Sequence, residues 1–176
     1  MKILITVMFF AVFVQGQDKP ADPPRMPSNE EILELVTKAD EKVSGFEEAV
    51  NNAKPYLDKI SPKLATNYLD GASTARTIIH NLKNNGPSAY ALVSLLATLD
   101  DLALDAATGS IQVLRTDEEN VIKGKQPDLG GLSSVIVLGA SGTACNDISA
   151  LIMHATLRYL SAEEQVLGKL LEKEKK

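Results

Sequence analysis

Residues 135–145 read VIVLGASGTAC, and the structure that this stretch adopts decides the fold class. A run of aliphatic residues leads to Gly139 and Gly142, and Cys145, the single cysteine of the chain, follows. Three structures fit such a pattern: a strand that enters a phosphate-binding glycine loop, part of a membrane span, or a closely packed helix. They imply an enzyme, a membrane protein and a binding module, respectively.

The glycine-loop interpretation requires a strand, the motif G-x-G-x-x-G and a helix within a βαβ unit. Here the residues read G-A-S-G-T-A-C, so that Cys145 occupies the position of the third glycine. No alternating strand–helix pattern precedes the stretch, and no acidic residue on a second strand is available for a ribose. We therefore expect neither a nucleotide site nor any other cofactor.

The membrane interpretation rests on residues 129–146, which carry no charge over 18 residues and so reach the short limit of a span. Half of these residues are glycine or polar, so transfer into lipid gains little. Leu132–Ala155 instead places apolar residues at near-helical spacing on almost every side, which is typical of a central bundle helix. Its small residues let a neighbouring helix approach closely or leave an apolar cavity. We expect such a helix and no integral membrane protein.

Signals for further helix boundaries recur along the chain. Ser28 begins a capping box, and Asn84-Asn85-Gly86-Pro87 is a helix stop and turn. Pro55 is expected to close the first helix or to open a short one, and capping boxes at Thr116 and Ser161 can start further short helices. Between these signals apolar residues lie three and four positions apart. The sequence thus predicts a single all-α bundle of about five or six helices.

The two ends of the chain differ from this pattern. Residues 1–16 combine Lys2, a 12-residue apolar segment and a small residue before Gln17, which together predict a secretory signal peptide. Residues 17–27 form a proline-rich linker, 28–171 the bundle and 172–176 a charged tail. We therefore expect the protein to be secreted and extracellular.

Composition and charge exclude several classes. Without residues 1–16, whose one charged residue is Lys2, 17 basic and 23 acidic residues remain, a net charge of −6. This balance argues against nucleic acid as a partner. The single cysteine cannot form an intramolecular disulfide, so burial of Leu, Ile, Val and Ala must stabilise the fold.

Side chains with catalytic chemistry are sparse. His80 and His154 are the only histidines, and the motifs HExxH, CxxC, GxSxG and GxxxxGK[ST] are absent. Asp101 and Asp105 share a helix face, and we interpret them as part of a solvated surface. We predict no catalytic residue, no metal ligand and no enzymatic activity.

Three segments carry a resemblance to a known family: YLDGASTARTIIHNL, LVSLLATLDDLALDAATGSIQVL and PDLGGLSSVIVLGASGTACNDISALIMHA. In their order they resemble the fungal hydrophobic-surface-binding and cell-wall galactomannoprotein family, over Glu30 to about Leu160. The resemblance implies a secreted helical bundle without disulfides. In some members of that family a fatty acid lies between the helices.

Two of the same segments are similar to a second family, the plant invertase and pectin methylesterase inhibitors. LDDLALDAA and SGTACNDIS resemble two of their helices, and Cys145 matches one family cysteine, although the other three are missing. This likeness implies an inhibitor of a cell-wall or host enzyme that acts through protein–protein contact.

The function we expect is a secreted, non-enzymatic protein that binds an apolar ligand, such as a fatty acid or lipid, or a hydrophobic surface between its helices. The alternative is the protein inhibitor. Aliphatic stripes interrupted by glycine and alanine can leave a dry cavity that accepts hydrocarbon. The segments Ser88–Leu114 and Leu132–Ala155 are expected to line the site. Its predicted residues are Leu92, Leu96, Leu99, Leu132, Val135, Ile136, Gly139 and Ile152.

Overall fold

The computed structural model describes residues 25–174, with side chains up to Leu170. This part of the chain forms four α-helices and no strand: α1 (Asn29–Ile60), α2 (Leu64–Asn85), α3 (Ala89–Ile122) and α4 (Leu129–Glu174). Each helix packs against its neighbours in the chain, and α4 also packs against α1, which closes the bundle. The predicted signal peptide and residues 17–24 of the predicted linker lie outside the described residues.

The all-α prediction is confirmed, and so is the helical structure of VIVLGASGTAC, which lies within α4. The predicted count of five or six helices is wrong because three expected boundaries lie inside helices. Pro55 is exposed, and α1 continues past it to Ile60. Leu57, two residues after Pro55, is fully buried, so packing in the core stabilises this last part of the helix. The Thr116 hydroxyl donates to the Gln112 carbonyl in the preceding turn instead of capping a new helix. Ser161 lies within α4.

Short polar segments define the true helix starts. The Ser28 hydroxyl accepts the Glu31 amide at 3.1 Å and caps α1, as its capping box predicts. Ser88 caps α3 in the same way, and Asp128 accepts the Gly131 amide at 3.0 Å at the start of α4. Gly86, with φ of 81°, ends α2 in a conformation that favours glycine.

One apolar stripe from each helix fills the core, with Phe46 of α1 fully buried among them. Small residues set the distances between helices. A Cβ added at Gly142 would lie closer than 3.0 Å to the Cβ of Ala106, so glycine allows α4 to contact the α3 backbone. Gly109 similarly accommodates the ring of Tyr68. The main stripes are Ile32, Val36, Val43, Phe46, Val50 and Leu57 of α1; Tyr68, Ala72, Ile79 and Leu82 of α2; Leu92, Leu95, Leu99 and Leu102 of α3; and Val135, Leu138, Cys145, Ile148 and Ile152 of α4.

Helix α4 is longer than the bundle. Arg158 meets Glu31 in the first turn of α1, and the Tyr159 hydroxyl reaches the Pro87 carbonyl at 3.5 Å, so these residues mark the end of the bundle. Beyond them α4 continues to Glu174 with Val166, Leu167 and Leu170 exposed. By length and composition α4 is the one described helix that is apolar enough to cross a membrane, a criterion that core helices of soluble proteins also meet.

Candidate functional site

The eight predicted site residues lie on the α3–α4 pair but at different depths. Leu92, Leu99, Val135 and Ile152 are buried in the close-packed core. Leu96, Leu132 and Gly139 are half-buried, and Ile136 is 68% exposed. The structure therefore separates the set into a buried wall of four residues and a more accessible group of four.

Specific contacts fix how the antiparallel helices α3 and α4 align. The Ser110 hydroxyl donates to the Val135 carbonyl at 3.0 Å, and the Ser149 hydroxyl donates to a carboxylate oxygen of Asp100. Between these two links Gly142 faces the α3 backbone, where an added Cβ would lie 3.3 Å from the Ala103 carbonyl oxygen. Successive helix residues are rotated by about 100°, so Leu104 and Ile136 lie one position further around their helices than Ala103 and Val135. Both consequently lie beside the α3–α4 contact on the outer surface.

A second apolar stripe runs along the outer surface of α3, and two exposed apolar residues of α4 lie on the adjoining side. One face of α3 carries Val93, Asp100, Leu104 and Ile111. Asp100 of this face accepts a hydrogen bond from Ser149 of α4. On α4, Ile136 and Leu157 lie on the adjoining side at its two ends, and Asp147 and His154 are exposed between them. We call these five apolar residues the outer strip. Their exposed fractions are 45% for Val93, 65% for Leu104, 51% for Ile111, 68% for Ile136 and 50% for Leu157.

The centre of the outer strip is formed by small residues. Ala107 lies one turn from both Leu104 and Ile111 on α3, and Gly139 lies one turn from Ile136 on α4. A Cβ at Gly139 would be 3.6 Å from the Ser110 hydroxyl oxygen, an ordinary van der Waals distance, so packing does not require glycine there. Small residues between large aliphatic ones give the strip a shallow floor that is suited to an extended apolar group.

Exposed apolar residues are distributed unequally among the four helices. Among the described residues, Leu33 is the one large apolar side chain of α1 and α2 that is exposed, whereas α3 carries seven and α4 nine. A helix that serves only the core needs one apolar stripe. Helices α3 and α4 therefore carry more apolar surface than the bundle uses.

The predicted site shares Ile136 and Gly139 with this surface and does not include Val93, Leu104, Ile111 or Leu157. Leu104 and Ile111 lie off the principal stripe of α3, so the core pattern did not include them. A signal was nonetheless present, because residues 93, 97, 100, 104, 107 and 111 repeat at alternating spacings of four and three and all but Asp100 are apolar.

A pocket of about 60 Å³ lies where α1 and α3 end and α4 begins, and its lining includes apolar Ile60, Val113 and the predicted site residue Leu132 beside polar side chains. Its carboxylates are occupied by the backbone: Asp117 accepts the Asp128 amide at 2.9 Å, and Asp128 accepts the amide of Gly131. The Tyr56 ring covers Gly131, where an added Cβ would lie 2.9 Å from the ring. Lys59 lies 4.9 Å from the centre of that ring. These contacts hold the start of α4 in place and account for the polar groups of the pocket.

Burial is the main cause of the pKa shifts of Cys145, Tyr68 and Asp105. Burial raises the pKa of the Cys145 thiol to about 11 and that of Tyr68 to about 12. Asp105 is half-buried rather than fully solvated, and burial, reinforced by the nearby charge of Asp101, raises its pKa. Within residues 25–174 no three His, Cys, Asp or Glu side chains are grouped to hold a metal ion. His154 is exposed.

Comparison with known proteins gives no relatives: no family model matches the chain, and no curated protein or solved structure is significantly similar to it. The function must therefore be argued from the surface itself.

Proposed function

We propose that this protein is a secreted, non-enzymatic binding protein that attaches to a hydrophobic surface, in particular a lipid surface, through the outer strip of α3 and α4. The observation that carries the proposal is the concentration of exposed large apolar side chains on these two helices. Soluble proteins rarely expose extended apolar patches unless the patch binds something.

The chemistry of the outer strip favours an apolar surface over a folded protein partner. Its five residues are aliphatic, whereas the residues that dominate protein interfaces are mostly Trp, Tyr and Arg. The chain has a net charge of −5, so an anionic membrane would repel it. We therefore expect a zwitterionic or neutral lipid surface. The resemblance to the fungal hydrophobic-surface-binding family implies a partner of the same class.

The predicted site residues take two roles in this proposal. Leu96, Leu132 and Gly139 are half-buried along the α3–α4 pair, where an acyl chain that enters between exposed side chains meets them. Leu92, Leu99, Val135 and Ile152 lie behind them in the core. Ile136 makes direct contact with the lipid.

The test is flotation with phosphatidylcholine vesicles, using the secreted form that is expected to begin at Gln17. Full burial of an isoleucine side chain contributes about 1.5–3 kcal/mol, and 1.4 kcal/mol corresponds to tenfold, so Ile136→Asp is expected to weaken binding about tenfold or more. Leu33→Asp makes the same change at a 47% exposed leucine of α1 and is expected to bind like the wild type. Failure of the wild type to float, or equal losses in both variants, would contradict the proposal.

A protein partner remains the second candidate because a groove between α1 and α4 has a different character. Lys38, Glu41, Lys42 and Asp147 surround it, and Leu151, 51% exposed, lies between them. Charges of both signs around an apolar residue suit a polypeptide better than a lipid. Leu151→Asp is expected to leave vesicle binding unchanged and to abolish inhibition or capture of such a partner.

A further inference from the structure

We infer that the bundle binds a lipid surface by separating into two helical hairpins, α1–α2 and α3–α4, whose inner apolar faces then contact the lipid. The inference rests on the proposed function, because the outer strip supplies the first contact. It goes further because the residues that form the core of the closed bundle become the surface that contacts lipid. The distribution of polar contacts among the four helices carries it.

Polar contacts hold α1 and α2 together as one unit. Arg76 of α2 donates to both carboxylate oxygens of Glu47, at 2.8 and 2.6 Å, and to Asp40 at 3.0 Å. Lys83 donates to the other oxygen of Asp40 at 2.7 Å. Such a network of paired charges resists separation of the two helices better than a single exposed pair does.

Polar contacts also hold α3 and α4 together. Ser110 and Ser149 each bind the partner helix, at Val135 and Asp100, respectively. The backbone contact at Gly142 lies between these links. The α3–α4 hairpin is therefore expected to remain intact when it leaves the other half of the bundle.

Polar contacts between the two hairpins are few and lie mainly at the ends. Among the described residues no hydrogen bond or ion pair joins α2 to α3. Across the α1–α4 seam, Arg158 binds Glu31 and the Arg25 carbonyl at one end, and Lys59 lies 3.8 Å from Asp128 at the other. Between the ends, the Cys145 thiol lies 3.9 Å from the Lys42 carbonyl, a weak contact.

Separation of the hairpins leaves the buried hydroxyls of Ser149 and Thr156 with their partners and, among the contacts of the described buried side chains, breaks only the weak contact of the Cys145 thiol. The two buried polar residues on the described inner faces are Ser149 and Thr156. Ser149 binds Asp100 in its own hairpin, and Thr156 donates to the Ile152 carbonyl in its own helix at 2.7 Å. Apart from the Tyr68 hydroxyl and the Cys145 thiol, the remaining core surface that opening would offer to lipid is apolar, which favours burial in hydrocarbon.

The connection between the hairpins is suited to act as a hinge. It consists of Gly86, Pro87 and Ser88, and hinges are commonly a few loop residues at the ends of helices. Arg158 and Glu31 lie at the same end of the bundle as this connection. They join α4 to α1, two helices that no loop connects directly. They form a latch on the edge that opens.

The inference is tested by closing that edge covalently. In a Cys145→Ala background, Glu31→Cys and Arg158→Cys are joined by dibromobimane, a short reagent that links two nearby thiols. The matched control joins Asp40→Cys to Lys83→Cys, an ion pair within one hairpin. Circular dichroism confirms that both cross-linked proteins are folded. We expect the latch cross-link to reduce flotation with phosphatidylcholine vesicles at least tenfold and the control cross-link to leave it unchanged.

The alkylation rate of wild-type Cys145 gives a second measurement. The thiol is buried against α1, so opening exposes it. Reaction with bilayer-permeable N-ethylmaleimide is expected to accelerate at least tenfold when vesicles are added. If the latch-linked protein floats like the wild type and alkylation is not accelerated, opening is refuted while the outer strip still accounts for binding. If neither the wild type nor the control floats, the proposed function fails and the inference with it.

Discussion

Gly142 gives the sharpest test of the helix packing, because two known effects of its replacement by alanine oppose each other. Alanine favours a helix over glycine by about 1 kcal/mol, so an unconstrained site would be stabilised. At Gly142, however, the new methyl group would lie closer than 3.0 Å to the Cβ of Ala106 and 3.3 Å from the Ala103 carbonyl oxygen. Neither neighbour can rotate away, since one is a methyl group on Cα and the other is backbone.

The expected magnitude follows from the balance of these two effects. Overpacking of a well-packed core costs about 1–3 kcal/mol, which exceeds the gain in helix propensity. Gly45→Ala is the matched control, because Gly45 lies within α1 and nothing is within 4 Å of its added Cβ. We expect Gly45→Ala to stabilise by about 0.5–1 kcal/mol and Gly142→Ala to destabilise by about 1 kcal/mol, a difference of about 2 kcal/mol.

Urea denaturation followed by circular dichroism measures this difference as a shift in midpoint at constant slope. For a chain of this size about 2 kcal/mol corresponds to about 4–8 °C in Tm. Equal midpoints for the two variants would refute the close approach of α4 to α3 at Gly142. The helix itself is not in question in this comparison, because alanine is compatible with a helix at both positions.

Two further predictions concern burial and charge. Leu99→Asp places a charge at a fully buried position and is expected to unfold the bundle, whereas Ile136→Asp changes a 68% exposed residue and is expected to remain folded. Thermal denaturation of both variants tests this prediction. A folded Leu99→Asp variant would contradict the assignment of Leu99 to the core. Burial raises the folded-state pKa of Asp105, so its stability contribution is present below the unfolded pKa and is lost as pH rises through the folded pKa. Asp105→Asn is therefore expected to be more stable than the wild type at pH 7 and no more stable below the ordinary value of 3.8, as urea midpoints at both pH values will show.

Helix periodicity and capping were sufficient to predict the fold class and the first helix start. The Ser28 capping box and the Asn84–Pro87 stop correspond to real boundaries. The boundaries expected at Thr116 and Ser161 do not exist. A capping box specifies only that a helix can begin there, whereas the apolar pattern on both sides allows one helix to continue. Local sequence cannot decide between these outcomes without the packing of the neighbouring helices.

The candidate site was harder to predict for a related reason. The stripe rule identifies residues that face a core, so it selected Leu92, Leu99 and Ile152, which are buried. Leu104 and Ile111 belong to a second stripe whose spacing is present in the sequence, but the rule does not say which of the two stripes faces the core. That distinction depends on which side of α3 contacts α4, and the contacts of Ser110 and Gly142 establish this only in the folded chain.

The unequal distribution of apolar surface connects the outer strip to the opening of the bundle. If exposed leucines were only a by-product of an aliphatic composition, α1 and α2 would carry them too, yet Leu33 is their one large exposed apolar residue in the described chain. The hairpin with two apolar faces is thus α3–α4, and it is also the hairpin joined internally by Ser110 and Ser149. Under the proposed function, a unit that is apolar on both sides would contact lipid before the bundle opens and keep that contact afterwards. In the proposed opening, the α1–α2 hairpin, whose one large exposed apolar residue in the described chain is Leu33, would gain contact with lipid only after the Arg158 latch opens, as would the inner face of α3–α4.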